Sequence, residues 1–240
     1  MYYGYYGYGG YSSIWIILML ICAAFAGWAQ LSVSSNFKKY SNVMTRNNLT
    51  GAQAAQAVLR ANGVHGVQLS HVGGNLTDHF DPRSNCIRLS DHVYDSCSVA
   101  AVGVAAHEAG HAVQYAKSYA PIRLRSAIIP LCNFGSTLAW PMLAIGLVIG
   151  ATSLVGIGVL MYALATLFQV VTLPVEINAS RRALQALESE GLLTSQELPM
   201  ARKTLFAAAM TYVAALATSL VQLLRLIFIF LANGGGRRRD

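Results

Sequence analysis

The chain has 240 residues, of which 55% are hydrophobic and only 11% are charged, and its mean hydropathy is +0.46. A soluble domain carries roughly 25% charged residues, so this composition excludes a protein whose whole surface lies in water. The formal net charge of +7 does not indicate nucleic-acid binding. The basic residues form no cluster interleaved with aromatic side chains, and the positive-inside rule accounts for their place beside apolar segments. We therefore expect a lipid bilayer, and no nucleic acid, as a partner.

Three long segments contain no charged residue: Met1–Phe37, Ser126–Val175 and Thr204–Leu224. About 20 apolar residues in a helix cross a bilayer. The first segment therefore predicts one span at Ser13–Leu31. Because its first thirteen residues contain no Lys or Arg, the charged start of a signal peptide is absent, and we expect an uncleaved anchor.

The second segment predicts a membrane hairpin, with spans at Ile128–Ile149 and Ser153–Leu173 and a tight turn at Gly150–Ser153. The third segment, Thr204–Leu224, has two interpretations. A fourth span would place Arg237–Arg239 outside, against the positive-inside rule. A packed or re-entrant helix would leave these arginines to bind anionic lipid. Charge alone leaves the choice open.

The charges after the first span predict the orientation of the chain. Lys38, Lys39 and Arg46 follow this span, and basic loops favour the cytoplasmic side. We expect a multi-pass protein of the cell membrane whose first loop is cytoplasmic. Its four cysteines show no CxxC spacing, which agrees with a reducing compartment.

The first loop is predicted to combine helices with a small antiparallel sheet. Its predicted elements are a helix at Asn48–Asn62 capped by Thr50, strands at Val67–Val72 and Asn85–Ser90 around a turn at Gly73–Asn75, a helical start at Ser90 or Asp91, and a helix at Ser98–Tyr119 that Pro121 stops. The loop therefore looks like an α+β domain.

The last of these helices contains the motif His107-Glu108-Ala-Gly-His111, an HExxH sequence. Residues four apart share a helical face, so both imidazoles can bind one Zn²⁺. Glu108 is rotated by about 100° from His107, which suits a general base acting on a zinc-activated water. The alternative is a helix whose two histidines pair with local carboxylates.

A catalytic zinc needs a third protein ligand and an open position. Two spans return the chain to the side of the motif, and Glu176 is the first acid after them. Pro174 is predicted to begin a new helix there, so the residues alone leave two readings of Glu176: a ligand, or a helix-start glutamate favoured by the macrodipole. Glu188, Glu190 and Glu197 are weaker candidates.

At these residues the chain resembles the bacterial membrane-bound neutral zinc metallopeptidases, often called YugP-like. The segments that carry the resemblance are Leu76–Pro82, Ile87–Ser90, Val104–Gln114, Leu173–Leu184 and Ala208–Ala214. In layout this family is similar to the heat-shock and prenyl-protein membrane proteases, which place HExxH before a membrane hairpin and a glutamate ligand after it. The resemblance implies Glu176 as the third zinc ligand.

Two positions depart from the family's pattern. Asn178 stands where members often have Asp, and Ser180 where the heat-shock relatives often have Asp. An amide at position 178 can orient a ligand as a hydrogen-bond donor but adds no charge. We therefore expect no outer carboxylate at either position.

The predicted fold is a mainly α membrane protein with three or four transmembrane helices and a small α+β, zincin-like (gluzincin-type) catalytic domain. The predicted regions are an anchor (1–31), a catalytic loop (32–126), a hairpin (127–173), a third-ligand helix (174–203), a hydrophobic helix (204–232) and a basic tail (233–240).

The predicted function is a zinc-dependent endopeptidase that cleaves polypeptides, among them membrane or misfolded proteins. Other residues have weaker predicted roles. His79 and Asp81 lie beside the sheet, where an edge strand can pair with substrate, but turn positions explain them as well. Tyr212 is a candidate oxyanion donor or a packed tyrosine. Arg181 and Arg182 are candidates for binding a substrate carboxylate, or a positive-inside flank.

Two other functions compete with the peptidase. A metal transporter would need polar groups inside its spans, and Ser126–Val175 contains no acid and no histidine. An inactive peptidase-like scaffold would bind metal without a base, yet Glu108 stands where the base is needed.

Overall fold

The computed structural model describes residues 6–234, with side chains from 13 to 232, so Arg237–Arg239 lie outside the described residues. The elements are, in chain order, α1 (Tyr6–Ser41), α2 (Gly51–Ala61), β1 (Gln68–Val72), β2 (His79–Asp81), β3 (Cys86–Ser90), α3 (Asp91–Tyr94), α4 (Val99–Ala116), α5 (Ala120–Val148), α6 (Thr152–Ser189) and α7 (Leu198–Gly234). The protein is thus mostly helical with a small sheet, as the sequence predicts.

Four helices of the described part of the chain are long and apolar enough to cross a membrane. These candidate spans are Ser13–Ser41, Ala120–Val148, Thr152–Ser189 and Leu198–Ala232. The segment Thr204–Leu224 therefore belongs to a fourth candidate span, judged by length and composition. The chain divides into two compact units, and the helices α1, α5, α6 and α7 each contribute residues to both.

The first unit contains residues 1–28, 124–172 and 212–240. In it α5 and α6 form the predicted hairpin, and Gly150 between them has a φ of +68°, a conformation that glycine adopts without strain. A Cβ added at Gly158 would lie 2.6 Å from Cγ of Leu143, so the two helices pack closely at a small residue, as membrane helices commonly do.

The helix α6 does not end at Leu173, and the prediction of a new helix at Pro174 is wrong: Pro174 lies inside a continuous helix. A proline there removes one helical hydrogen bond, that to the carbonyl of Val170, and membrane helices tolerate this loss. Consequently Glu176 is not at a helix start, and the macrodipole reading of this residue is excluded.

The second unit contains residues 29–123 and 173–211 and carries the sheet. The strand order is β1-β3-β2, with β1 parallel and β2 antiparallel to β3. The predicted antiparallel pairing of the first and last strands is therefore wrong. Residues 73–85 are long enough to carry the chain across to a parallel position, and they contain β2, which was not predicted.

The helix α4 is the centre of the second unit's core. Most of its residues are buried, among them Val102 and Val113, and they pack with α2, β3 and the adjoining turns of α6 and α7. Ser98 caps its start by accepting a hydrogen bond from the N–H of Ala101 at 3.2 Å. It ends at Ala116, before Pro121, which instead lies in the first turn of α5, where its missing N–H costs nothing.

Glu197 is buried, although its sequence surroundings look exposed. Its carboxylate accepts hydrogen bonds from the N–H groups of Thr194 and Arg46, both at 2.7 Å. Burial raises the pKa of Glu197, but these hydrogen bonds outweigh it and leave the pKa below its ordinary value. Glu197 thus joins the turn before α7 to the segment after α1, a structural role.

Replacing Glu197 by glutamine is expected to lower the free energy of unfolding by about 1–3 kcal/mol at pH 7, because one of two partly buried N–H groups loses its charged acceptor. Since the folded pKa is lowered, this contribution is complete above the unfolded pKa, near 4.3, and is lost as the pH falls through the folded pKa. Thermal unfolding should show that the native protein and the Glu197→Gln variant differ less in stability at low pH than at pH 7. The exposed Glu190→Gln is the control, and a difference that does not change with pH would contradict the argument.

Candidate metal centre

The two histidines of the motif face α6 because the two helices pack closely at Gly110. A Cβ added there would lie 2.6 Å from the carbonyl oxygen of Ala179. No side chain fits in that space, so glycine lets the backbones of α4 and α6 approach. One turn before Ala179, Glu176 is carried to His107 and His111.

The structure brings together the three predicted metal ligands. Oε2 of Glu176 lies 3.3 Å from Nε2 of His107 and 3.5 Å from Nε2 of His111, and the ligand atoms all lie within 4.8 Å of one another. Burial lowers the pKa of His111, but Glu176 and Glu108 raise it above its ordinary value. The electrostatic potential at this position therefore favours a positive charge.

Hydrogen bonds on the opposite edges of the rings hold both imidazoles in place. Nδ1 of His107 lies 3.0 Å from Oγ of Ser180, and Nδ1 of His111 lies 3.0 Å from Oε1 of Gln114. Ser180 thus contacts a candidate ligand without being a carboxylate. With Nδ1 engaged, Nε2 of each ring is the atom presented to Glu176, which is the usual arrangement around a metal-binding histidine.

Gln114 determines which nitrogen of His111 carries the proton. Its side chain is fully buried, and its Nε2 donates to the carbonyl of Val175 at 2.8 Å and to Oδ1 of Asn178 at 3.1 Å. A backbone carbonyl only accepts, so Oε1 of Gln114 must face His111. In the neutral imidazole the proton then lies on Nδ1, and Nε2 has its lone pair free.

Asn178 contacts no ligand directly. Its Oδ1 accepts from Nε2 of Gln114 and from Nε of Arg182, the latter at 2.8 Å. The prediction that Asn178 orients a ligand as a donor is therefore wrong in detail, because it acts as an acceptor and reaches His111 through Gln114. The guanidinium of Arg182 also lies over the ring of Tyr119, 5.8 Å from its centroid, so Arg182 is engaged within the protein.

Replacing Gln114 by leucine is expected to raise the zinc dissociation constant about 10- to 100-fold, as loss of an outer partner of a ligand typically does. Competition with a chromophoric chelator measures this constant, and thermal unfolding of the zinc-free protein measures the separate loss of packing. Gln114→Glu keeps an acceptor for Nδ1–H and should recover most of the affinity. Equal losses in both variants would show that the acceptor for Nδ1–H of His111 does not determine the zinc affinity.

Glu108 is held at the edge of the sheet. Its Oε2 accepts a hydrogen bond from the N–H of Phe80 in β2 at 2.9 Å, and the ring of Phe80 packs against Tyr115 at 5.5 Å. The side chain is nearly buried. One oxygen of the carboxylate is thereby fixed in position. Phe80 was not predicted, and no sequence signal marks it, because the contact is made by its backbone.

The weaker predicted residues have separate positions. His79 is exposed, and its Nδ1 donates to the carbonyl of Thr77 at 2.8 Å. Asp81 ends β2, and hydrogen bonds from Ser84, Arg88 and Arg83, in that order, lower the pKa of its carboxyl. Tyr212 belongs to the first unit, and its predicted role stays a prediction.

The donor set fits a zinc ion. Two imidazole nitrogens and one carboxylate oxygen are the protein ligands of one established class of catalytic zinc sites. Nε2 of each ring is the nitrogen that faces Glu176, and Glu108 does not belong to the cluster. Among the residues that the structure describes, this is the one group of three or more potential ligands close enough to hold a metal.

Comparison with known proteins agrees with this chemistry. The family described as "Putative neutral zinc metallopeptidase" matches residues 15–231. The chain is similar to the "Putative membrane protease YugP" of Bacillus subtilis (strain 168), with 44% identity over 221 residues, which cover 92% of this chain and 98% of the relative. No solved structure matches the chain.

Proposed function

Because the chain belongs to the neutral zinc metallopeptidase family, we propose that it is a membrane-embedded zinc endopeptidase. His107, His111 and Glu176 hold the zinc, and Glu108 is the general base. The observation that carries the proposal is the cluster of these three ligand atoms within 4.8 Å beside a carboxylate that is not one of them. The words "membrane protease" in the name of the relative support the same reaction class.

The chemistry of the site follows from its side chains. A zinc ion held there would supply Lewis acidity to the attacking water and to the scissile carbonyl. Oε2 of Glu108 is fixed by the N–H of Phe80, so Oε1 is the oxygen that takes a proton from the water as its oxygen attacks the carbonyl carbon. When the C–N bond breaks, the same carboxyl group returns that proton to the leaving amine.

The cellular setting is part of the proposal. We propose that the second unit faces the cytoplasm. Lys38, Lys39 and Arg46 follow the first span, and basic loops favour the cytoplasmic side. The substrates are polypeptides that approach the membrane surface, including membrane or misfolded proteins. Four candidate spans keep the enzyme in the bilayer.

The test is the zinc content and the casein-cleaving activity of the detergent-purified protein. We expect about one zinc per chain, loss of cleavage after treatment with a chelator, and its return when zinc is added back. Zinc without cleavage of casein or of a mixed peptide library would support the inactive scaffold. A protein that binds no zinc would refute the proposal.

A further inference from the structure

A groove in the second unit lies between the parts of α6 and α7 that belong to that unit. Its volume is about 530 Å³, within the range of about 300–1,000 Å³ that is usual for ligand pockets. Most of its wall is apolar, formed by Ile177, Leu184, Leu205, Phe206 and Met210. Phe206 and Ile177 are 58% and 40% exposed, so large apolar side chains there are not covered by the protein itself.

The groove shares one residue, Ser180, with the surroundings of the candidate metal centre. Ser180 forms part of its wall, and the same hydroxyl lies 3.0 Å from Nδ1 of His107. Ile177, another wall residue, directly follows Glu176. A ligand in this groove would therefore contact residues that adjoin two of the three candidate ligands, His107 and Glu176.

Two of the five polar residues that line the groove are arginines. Arg181 and Arg202 line it and are exposed, and Glu188 is its one acidic wall residue. Neither arginine makes a hydrogen bond, an ion pair or a ring contact with any residue that the structure describes. Arg182 differs from them, because Asn178 and Tyr119 hold it. Two guanidinium groups beside an apolar wall are thus available to an acidic ligand.

We infer that this groove binds the substrate segment next to the scissile bond, with a large apolar side chain on the wall and a neighbouring Asp or Glu paired with Arg181 and Arg202. The inference rests on the proposed peptidase function and names a substrate class for it. A peptide fits better than a lipid, because Ser180 of the groove wall also contacts His107 of the metal centre.

The test measures binding, so that it does not depend on cleavage. Fluorescein-labelled peptides with a central Leu-Phe and flanking Glu, Gln or Lys are titrated onto the Glu108→Gln protein in detergent, and anisotropy gives the dissociation constants. We expect the Glu peptide to bind about two- to tenfold more tightly than the Gln peptide, the range that one or two exposed ion pairs provide. Arg181→Glu with Arg202→Glu should reverse the order in favour of the Lys peptide.

The matched control is Arg60→Glu, which makes the same charge change on the exposed end of α2. It should leave the order of the three peptides unchanged. An unchanged order in the double variant, or an equal shift in Arg60→Glu, would overturn the inference. The inference would also be overturned if phosphatidylglycerol micelles displaced the Glu peptide from the protein with native arginines but not from the double variant. The groove would then be a lipid site. If casein is not cleaved but the double variant prefers the Lys peptide, the peptidase proposal is refuted and the peptide-binding role of the groove is supported.

Discussion

Replacing Glu108 by glutamine is expected to leave zinc binding intact and to lower the rate of casein cleavage by about 10²- to 10⁴-fold, the usual contribution of a general acid–base group. Glutamine has nearly the same shape, and its amide oxygen can still accept the hydrogen bond from the N–H of Phe80 that holds Glu108. What it cannot do is take a proton from water. The zinc content of the purified protein and the initial rate of cleavage are the two measurements.

The matched control for this variant is Glu190→Gln, the same substitution at an exposed residue after α6. Its zinc content and its rate should equal those of the native protein. Full activity in Glu108→Gln would remove Glu108 from the mechanism. A loss of zinc in Glu108→Gln would mean that this carboxylate binds the metal and that the assignment of Glu176 as the third ligand needs revision.

The parts of the site that the sequence predicts are those in which one short pattern carries the geometry. In an α-helix, residues four apart share a face, so the spacing of His107 and His111 alone predicts that they lie together. The spacing also places Gln114 one turn after His111, but a glutamine at that spacing is common in helices. Only its burial and its contact with the carbonyl of Val175 reveal its role.

The errors in the fold have a common cause, which is that local signals do not determine how segments pair. Strand β2 has only three residues, too few for an alternating pattern to be recognised. Without it, β1 and β3 look like a hairpin. Likewise Pro174 marks a helix start by local statistics, whereas neighbouring helices allow α6 to continue through it.

The sequence predicted Glu176 as a ligand, but only the structure shows why it reaches the two histidines. Membrane topology returned the chain to the side of the motif, and the family resemblance selected this acid. The reason it reaches the histidines, however, is the close approach of α4 and α6 at Gly110 and Ala179. A glycine between the two histidines is not by itself a sign of helix contact, since it can equally lie on a free face.

Replacing Glu176 by glutamine is expected to weaken zinc binding by more than about 100-fold, and to abolish casein cleavage through loss of the metal. An outer partner of a ligand is worth about 10- to 100-fold in metal affinity, so a direct ligand should exceed this range. Among the acids that the structure describes, Glu176 is the one whose oxygen is in an ion pair with Nε2 of both histidines. A neutral amide there contributes neither the charge nor the strong donor oxygen that zinc requires.

The measurement that separates this variant from Glu108→Gln is the zinc dissociation constant, determined by competition with a chromophoric chelator. Glu176→Gln should bind weakly and Glu108→Gln normally, although both are inactive in cleavage. Raising the free zinc concentration above the new dissociation constant should restore part of the activity of Glu176→Gln and none in Glu108→Gln. Native affinity in Glu176→Gln would refute its role as a ligand, since the close contact with the two histidines would then be an ion pair of the fold.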